Sequence, residues 1–193
     1  MVEQLFSDQL IWRQPRMAKI SQVPAELRDW LLDSGSLTKR LQQASDNQLS
    51  VQVLSQSVQL PNLSERRALG LAPRRLALIR EVLLFGRGVP WVFARSVIPL
   101  QTLTGRLRKL RHLDNRPLGA LLFSDPTMTR EPLEWTCMPA QKSCSLTPQL
   151  TTFEKPVWGR RSVFKLSGKP LLVCEMFLPS FSGGAEHLEP LIK

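Results

Sequence analysis

At 193 residues, 42% hydrophobic and 22% charged, the chain has the size and composition of one globular domain that buries a sizeable core. No apolar run approaches the roughly 20 residues that span a bilayer, and the start MVEQLFSDQLIWRQPRMAK carries Glu3 and Asp8 where a secretory leader is basic and then apolar, so a cytoplasmic protein without a membrane span is expected. The net charge of +10 admits an anionic partner without choosing among nucleic acid, a membrane surface and an acidic metabolite, and the cysteines Cys137, Cys144 and Cys174 are too few and too irregular for a disulfide framework.

Residues 1–20 show no sustained periodicity, and FSDQLIW reads as a short docking segment. In VPAELRDWLLDSGS, Pro24 suits a first helical turn, Leu27, Trp30 and Leu31 share a face, and Gly35 suits a C-terminal cap. Ser36 then caps a second short helix, LTKRLQQ, and the pair has the outline of a helix-turn-helix. From LSVQVLSQSVQL the period becomes two, which predicts a half-exposed strand. RRLALIREVLLF and VPWVFARSVIP read as a hairpin across GRG. TLTGRLRKLRHL is helical, with Leu103, Leu107 and Leu110 on one face, and RPLGALLF is another short helix. TMTREPLEWT is a strand weakened by Pro132, 137–153 reads as a loop, and VWGRRSVFKLS and KPLLVCEMFLP form a second hairpin across SGK. Helices with antiparallel hairpins, and no alternation of strand and helix, indicate an α+β fold. A single domain over 1–180 and a mobile tail over 181–193 are expected, with a monomeric state.

Metal chemistry has little to rest on, since His112 and His187 are the only histidines and Cys137 and Cys144 have no partner pair. Phosphate-binding loops and the nucleophile elbow of hydrolases are missing too. What remains is charge inside strands. Arg80 alternates with Leu78, Val82 and Leu84, Arg95 with Trp91, Phe93 and Val97, and Glu175 with Val173 and Phe177. Converging faces would form an apolar cavity holding two guanidiniums and one carboxylate, suited to an organic acid. The bland alternative is a buried bridge in which Arg80 or Arg95 pairs with Glu175 or Glu81. GRLRKLRHLDNR is the rival constellation for nucleic acid, but it has no aromatic residue among its charges and reads as a solvated helix face.

DWLLDSGSLTKRLQ, REVLLFGRGVPWVFARSVIP, RPLGALLF and WGRRSVFKLSGKPLLVCEMFLP resemble, in order and spacing, the chorismate pyruvate-lyase family over about residues 20–180. The resemblance implies an antiparallel sheet with helices packed around it, an internal ligand site beneath two helical flaps, and elimination of pyruvate from chorismate to give 4-hydroxybenzoate for ubiquinone synthesis, with no metal or organic cofactor. It also implies roles. Arg80 holds the ring carboxylate, the backbones of Leu118 and Leu37 add contacts, Glu175 faces the ring hydroxyl, and Arg95 is a second active-site arginine. Leu37 stands where the family pattern has methionine, SLTKR for SMTKR, and the 137–153 loop and the tail are longer than that pattern. Two other classes remain open: a non-catalytic effector-binding domain of the same fold, as found in bacterial transcription regulators, and a basic nucleic-acid-binding protein.

Overall fold

A computed structural model describes residues 10–15, 20–140 and 155–183. The strands are β1 Leu49–Gln59, β2 Ala77–Gly86, β3 Val89–Pro99, β4 Thr129–Arg130, β5 Glu134–Met138, β6 Val157–Leu166 and β7 Lys169–Phe177. The helices are α1 Ala25–Leu32, α2 Leu37–Ala44, α3 Leu63–Ala68 and α4 Leu118–Ser124, with a 3-10 helix over Gly105–His112. All strand pairs are antiparallel, in the order β1-β2-β3-β7-β6-β4 with β5 also on β6, so the α+β expectation holds. Both expected hairpins turn on two residues of positive φ, Arg87 (51°) with Gly88 (78°) and Ser167 (49°) with Gly168 (75°). That mirror-image turn matches the twist of its strands.

Several elements differ from expectation for identifiable reasons. GRLRKLRH winds as a 3-10 helix, because three residues per turn stack Leu107, Leu110 and Leu113 in one buried column. Helix α3 was not anticipated, although NLSE carries its start: Asn62 accepts from the Glu65 amide at 2.8 Å while the Glu65 carboxylate accepts from the Asn62 amide at 3.0 Å. The strand over TMTREPLEWT is two strands, since the ladder runs through the Glu131 amide bonded to Val163 O (2.8 Å) and stops at Pro132, which has no donor. Gly35 does not cap α1; the helix ends at an extended Asp33 whose Oδ1 accepts from the Gly35 amide (2.8 Å). At the N-terminal side Leu10 and Trp12 pack on the core and Arg13 bridges Trp135, while the rest of the docking segment lies outside the described residues. So do residues 141–153 of the expected loop, with β5 reaching Met138. Packing continues past the expected boundary at 180, with Phe181 edge-on to Trp30 and Trp91 (centroids 4.9 and 5.7 Å).

The sheet is covered on both faces. On one, Ile79, Leu83, Phe93, Val97, Leu172 and Met176 pack with Leu69, the residue that ends α3. On the other, Trp30 and Leu31 of α1 and Leu37 and Leu41 of α2 lie over Val82, Val92 and Phe177, while leucines of the 3-10 helix and α4 lie over Leu78, Ile98 and Leu171. The first face holds Arg95. Its Nε and Nη2 donate to Glu65 (2.7 and 3.1 Å), its Nη1 to Glu81 (2.7 Å), and Glu81 also accepts from Ser55 Oγ (2.8 Å). Burial works against the guanidinium's charge, but the two carboxylates more than offset it and raise its pKa. The expectation that Arg95 joins an active site is therefore corrected: it staples α3 to the sheet, and the bridge to Glu81 is the bland alternative realised. Glu65→Ala removes the bidentate partner and the carboxylate half of the capping box together, and is expected to cost about 3–5 kcal/mol in denaturant unfolding; a loss below about 1 kcal/mol would mean that Glu81 alone satisfies Arg95.

Candidate active site

On the opposite face, alternation brings charge into a cavity. Cross-strand register aligns Val82, Ala94, Glu175 and Arg160 in one row and Arg80, Ser96, Val173 and Ser162 in the next, two residues along each strand. Members of both rows line the cavity, joined by Arg130 of β4 and Phe164 of β6. Its roof comes from Gly35, Leu37 and Thr38 on one side and from Pro117, Leu118 and Phe123 on the other. Helices α2 and α4 close over it at Gly119, where an added Cβ would lie 2.5 Å from the Oγ1 of buried Thr38.

Three guanidiniums enter this space. Arg80 is 1% exposed; one Nη donates to Asp114 O (2.6 Å) and Arg116 O (3.2 Å), and its buried Nε has no partner. Burial lowers its pKa, opposed only in part by the charge of Asp114. Arg160 donates from Nε to Glu175 Oε2 (2.7 Å) and from Nη1 to Trp30 O (2.7 Å) and Asp33 O (2.8 Å). Arg130 lies 5.0 Å from the centroid of the Phe164 ring and donates to Ser162 Oγ (2.9 Å) and Ser34 O (2.7 Å). Desolvation lowers its pKa and the charge of Arg160 lowers it further, against Glu175 and Asp33. Among the described residues Glu175 is the only carboxylate on the cavity wall, so their lining carries two more positive than negative charges. An apolar chamber with that surplus favours an organic anion.

The structure thus brings together Arg80, Glu175, Leu37 and Leu118 from the sequence expectation and leaves out Arg95. It adds Arg130 and Arg160, which sequence reasoning missed. A signal for Arg160 existed: two adjacent arginines in an otherwise apolar strand must send one guanidinium to each face. Arg161 takes the far face, donating to Glu134 (2.7 Å) and Ser64 Oγ (2.8 Å).

A family model described as chorismate lyase matches residues 6–183. A probable chorismate pyruvate-lyase of Aromatoleum aromaticum is 43% identical over 162 residues, covering 82% of this chain and 87% of that protein. One from Azoarcus sp. (strain BH72) is 42% identical over 177 residues, 89% of this chain and 90% of that protein. A probable chorismate pyruvate-lyase 2 of Pseudomonas entomophila is 45% identical over 159 residues, 82% and 83% respectively. Among solved structures, the ligand-binding domain of a putative GntR-family transcriptional regulator from Bordetella bronchiseptica superposes with a TM-score of 0.53 at 15% identity, over 69% of this chain and 86% of that one. The C-terminal domain of a histidine utilization repressor from Pseudomonas syringae pv. tomato gives 0.53 at 12% identity, over 75% and 99%. These two share the fold and no more.

The Gly119 contact has a measurable energy. Gly119→Ala is expected to lower stability by about 1–3 kcal/mol through overpacking against Thr38. Thr38→Ala in the same chain should recover part of that loss, and a double-mutant cycle from melting curves should give a coupling of at least about 0.5 kcal/mol. Additive losses would show that α2 and α4 part freely.

Proposed function

The chain belongs to the chorismate lyase family, and from that premise we propose that it eliminates pyruvate from chorismate to give 4-hydroxybenzoate, the aromatic precursor for ubiquinone synthesis. The observation that carries this reading is the closed cavity in which the unpartnered Nε of buried Arg80 and the carboxylate of Glu175 line one apolar chamber, with Ala94, Ser96 and Val173 on the strands between. An aromatic acid with a para hydroxyl has its polar groups at opposite ends of a flat apolar ring, the same distribution.

In this assignment the ring carboxylate meets Arg80, with the backbones of Leu37 and Leu118, the first residues of α2 and α4, as further polar contacts. The ring hydroxyl meets Glu175, and Arg160 is a positioning residue that holds Glu175 Oε2. Elimination removes the proton on C4, the carbon that bears the hydroxyl. The electron pair of that C–H bond becomes the new ring double bond, the C3–O bond breaks, and its pair leaves with the enolpyruvate oxygen. Protonation of the enolate carbon then gives pyruvate. Glu175, next to C4, takes up and returns that proton, so atoms and electrons balance with no oxidant. Aromatisation supplies the driving force, so the reaction requires neither metal nor organic cofactor. The protein's contribution is to hold a reactive conformer among fixed charges in a water-poor chamber. We place the enzyme in the cytoplasm as a monomer acting on small molecules. Its surplus charge serves the cavity in part, which weakens the nucleic-acid alternative.

Purified protein incubated with chorismate should release 4-hydroxybenzoate and pyruvate in equal amounts; no conversion would leave the effector-binding alternative standing. Arg80→Ala should weaken 4-hydroxybenzoate binding in calorimetry by about 10- to 100-fold, the scale of a charge-assisted hydrogen bond. Glu175→Gln keeps the shape and an acceptor for Arg160 but cannot carry the proton, and should lower kcat by about 10² or more in single-turnover assays. A Gln variant that melts far below the parent yet turns over normally would assign Glu175 to the scaffold.

A further inference from the structure

The cavity holds one more cation than the product needs. Of its three guanidiniums, Arg160 is neutralised by Glu175, whereas neither Arg80 nor Arg130 has a carboxylate within ion-pair distance among the described residues. The two uncompensated charges approach along one face of the sheet from opposite ends of the cavity: β3, β7 and β6 stand between β2, which carries Arg80, and β4, which carries Arg130. Four strand spacings amount to about 19 Å of backbone, and Glu175 on β7 lies between them. 4-Hydroxybenzoate has a single carboxylate, and with that group at Arg80 nothing in the product answers Arg130. Chorismate carries a second carboxylate, on the enolpyruvyl arm attached at C3, next to the carbon whose hydroxyl faces Glu175.

We propose that Arg130 is the subsite for the enolpyruvyl carboxylate, binding the substrate's second acid group and stabilising it as the C3–O bond breaks. The inference rests on the chorismate reading above and deepens it. Arg130 is built for the task. Ser162 Oγ takes its Nε and Ser34 O its Nη1, which fixes the plane of the guanidinium, and the Phe164 ring 5.0 Å from its Cζ supports it. Burial and the neighbouring Arg160 both disfavour its charge, so an incoming carboxylate relieves a cost that the empty chamber bears. Ser34 belongs to the loop between α1 and α2, so the side chain that meets the arm also holds the edge of the roof. Once pyruvate has left, Arg130 has no claim on the aromatic product, and the site distinguishes substrate from product by charge.

The test compares a dianion with a monoanion in the intact protein. Arg130→Gln should lower kcat/KM for chorismate by about 10- to 100-fold while the calorimetric Kd for 4-hydroxybenzoate stays within about threefold, and Arg130→Lys should recover part of the chorismate loss by keeping the charge. Arg80→Ala should weaken both ligands. Equal losses for both ligands in the Arg130 variants would make Arg130 a prop for the roof, and unchanged kcat/KM would remove it from the site; either result overturns the proposal. Should Arg130→Gln fail to fold, Arg130→Lys carries the same comparison, because an ammonium without the planar fork still shifts the ratio of chorismate kcat/KM to product Kd. Wild-type activity is measured first: its absence overturns the functional reading itself, whereas its presence with either contrary outcome overturns only the assignment of Arg130.

Discussion

The guanidiniums of the cavity need acceptors, and most of those they find are main-chain carbonyls at the margins of the roof. Arg80 bonds Asp114 and Arg116 just ahead of α4, Arg160 bonds Trp30 and Asp33 at the end of α1, and Arg130 bonds Ser34 in the following loop. Each side chain rises from the sheet floor, so the cations that give the cavity its charge also set the height and tilt of its cover. Carbonyl oxygens satisfy donors without cancelling charge. This is how an uncompensated surplus persists inside an apolar chamber: part of the hydrogen-bonding capacity is filled by carbonyls, while the charge itself and the Nε of Arg80 are left without a partner.

The fold was largely legible in the sequence because its signals are local. Period-two alternation marked β1, β2, β3 and β7, glycines after short turns placed both hairpins, and β6 followed as the hairpin partner of β7. The misses are equally physical. Leucines spaced three apart suit a 3-10 helix as well as an α-helix when only two turns are involved, and NLSE is a short signal inside an arginine-rich stretch. The site was legible only in part. Alternation places Arg80 and Glu175 relative to their own neighbours, but which face of each strand meets the cavity depends on the order β2-β3-β7-β6, a non-local property. Arg95 went astray for that reason. Its alternation with Phe93 and Val97 was read correctly, but those residues belong to the core beneath α3. Arg130 was hidden beside a proline that weakened the strand carrying it.

The likeness of the fold to two domains of transcription regulators separates scaffold from chemistry. A sheet with a helical cover makes an internal chamber whatever it contains, and the distinguishing content here is the placement of one carboxylate among three guanidiniums. The basic character of the chain is not uniform in meaning either. Arg106 bonds Asp125 at 2.8 Å, Arg95 and Arg161 are spent on internal bridges, and the exposed Arg108, Lys109 and Arg111 are the outer face of a helix whose leucines are buried.

Strand β3 serves two masters on alternate residues, with Ala94 and Ser96 forming the cavity floor and Arg95 between them clasping Glu65 and Glu81 underneath. The consequence is a constraint on how the gene can change length. One codon gained or lost within this strand would rotate every later side chain to the other side of the sheet, stranding a cation above its two acids and thrusting small residues into the packed interior below. Substitutions can drift here one at a time, but insertions and deletions must be confined to the Arg87–Gly88 turn and the connection after Pro99, where the chain's parity can be absorbed.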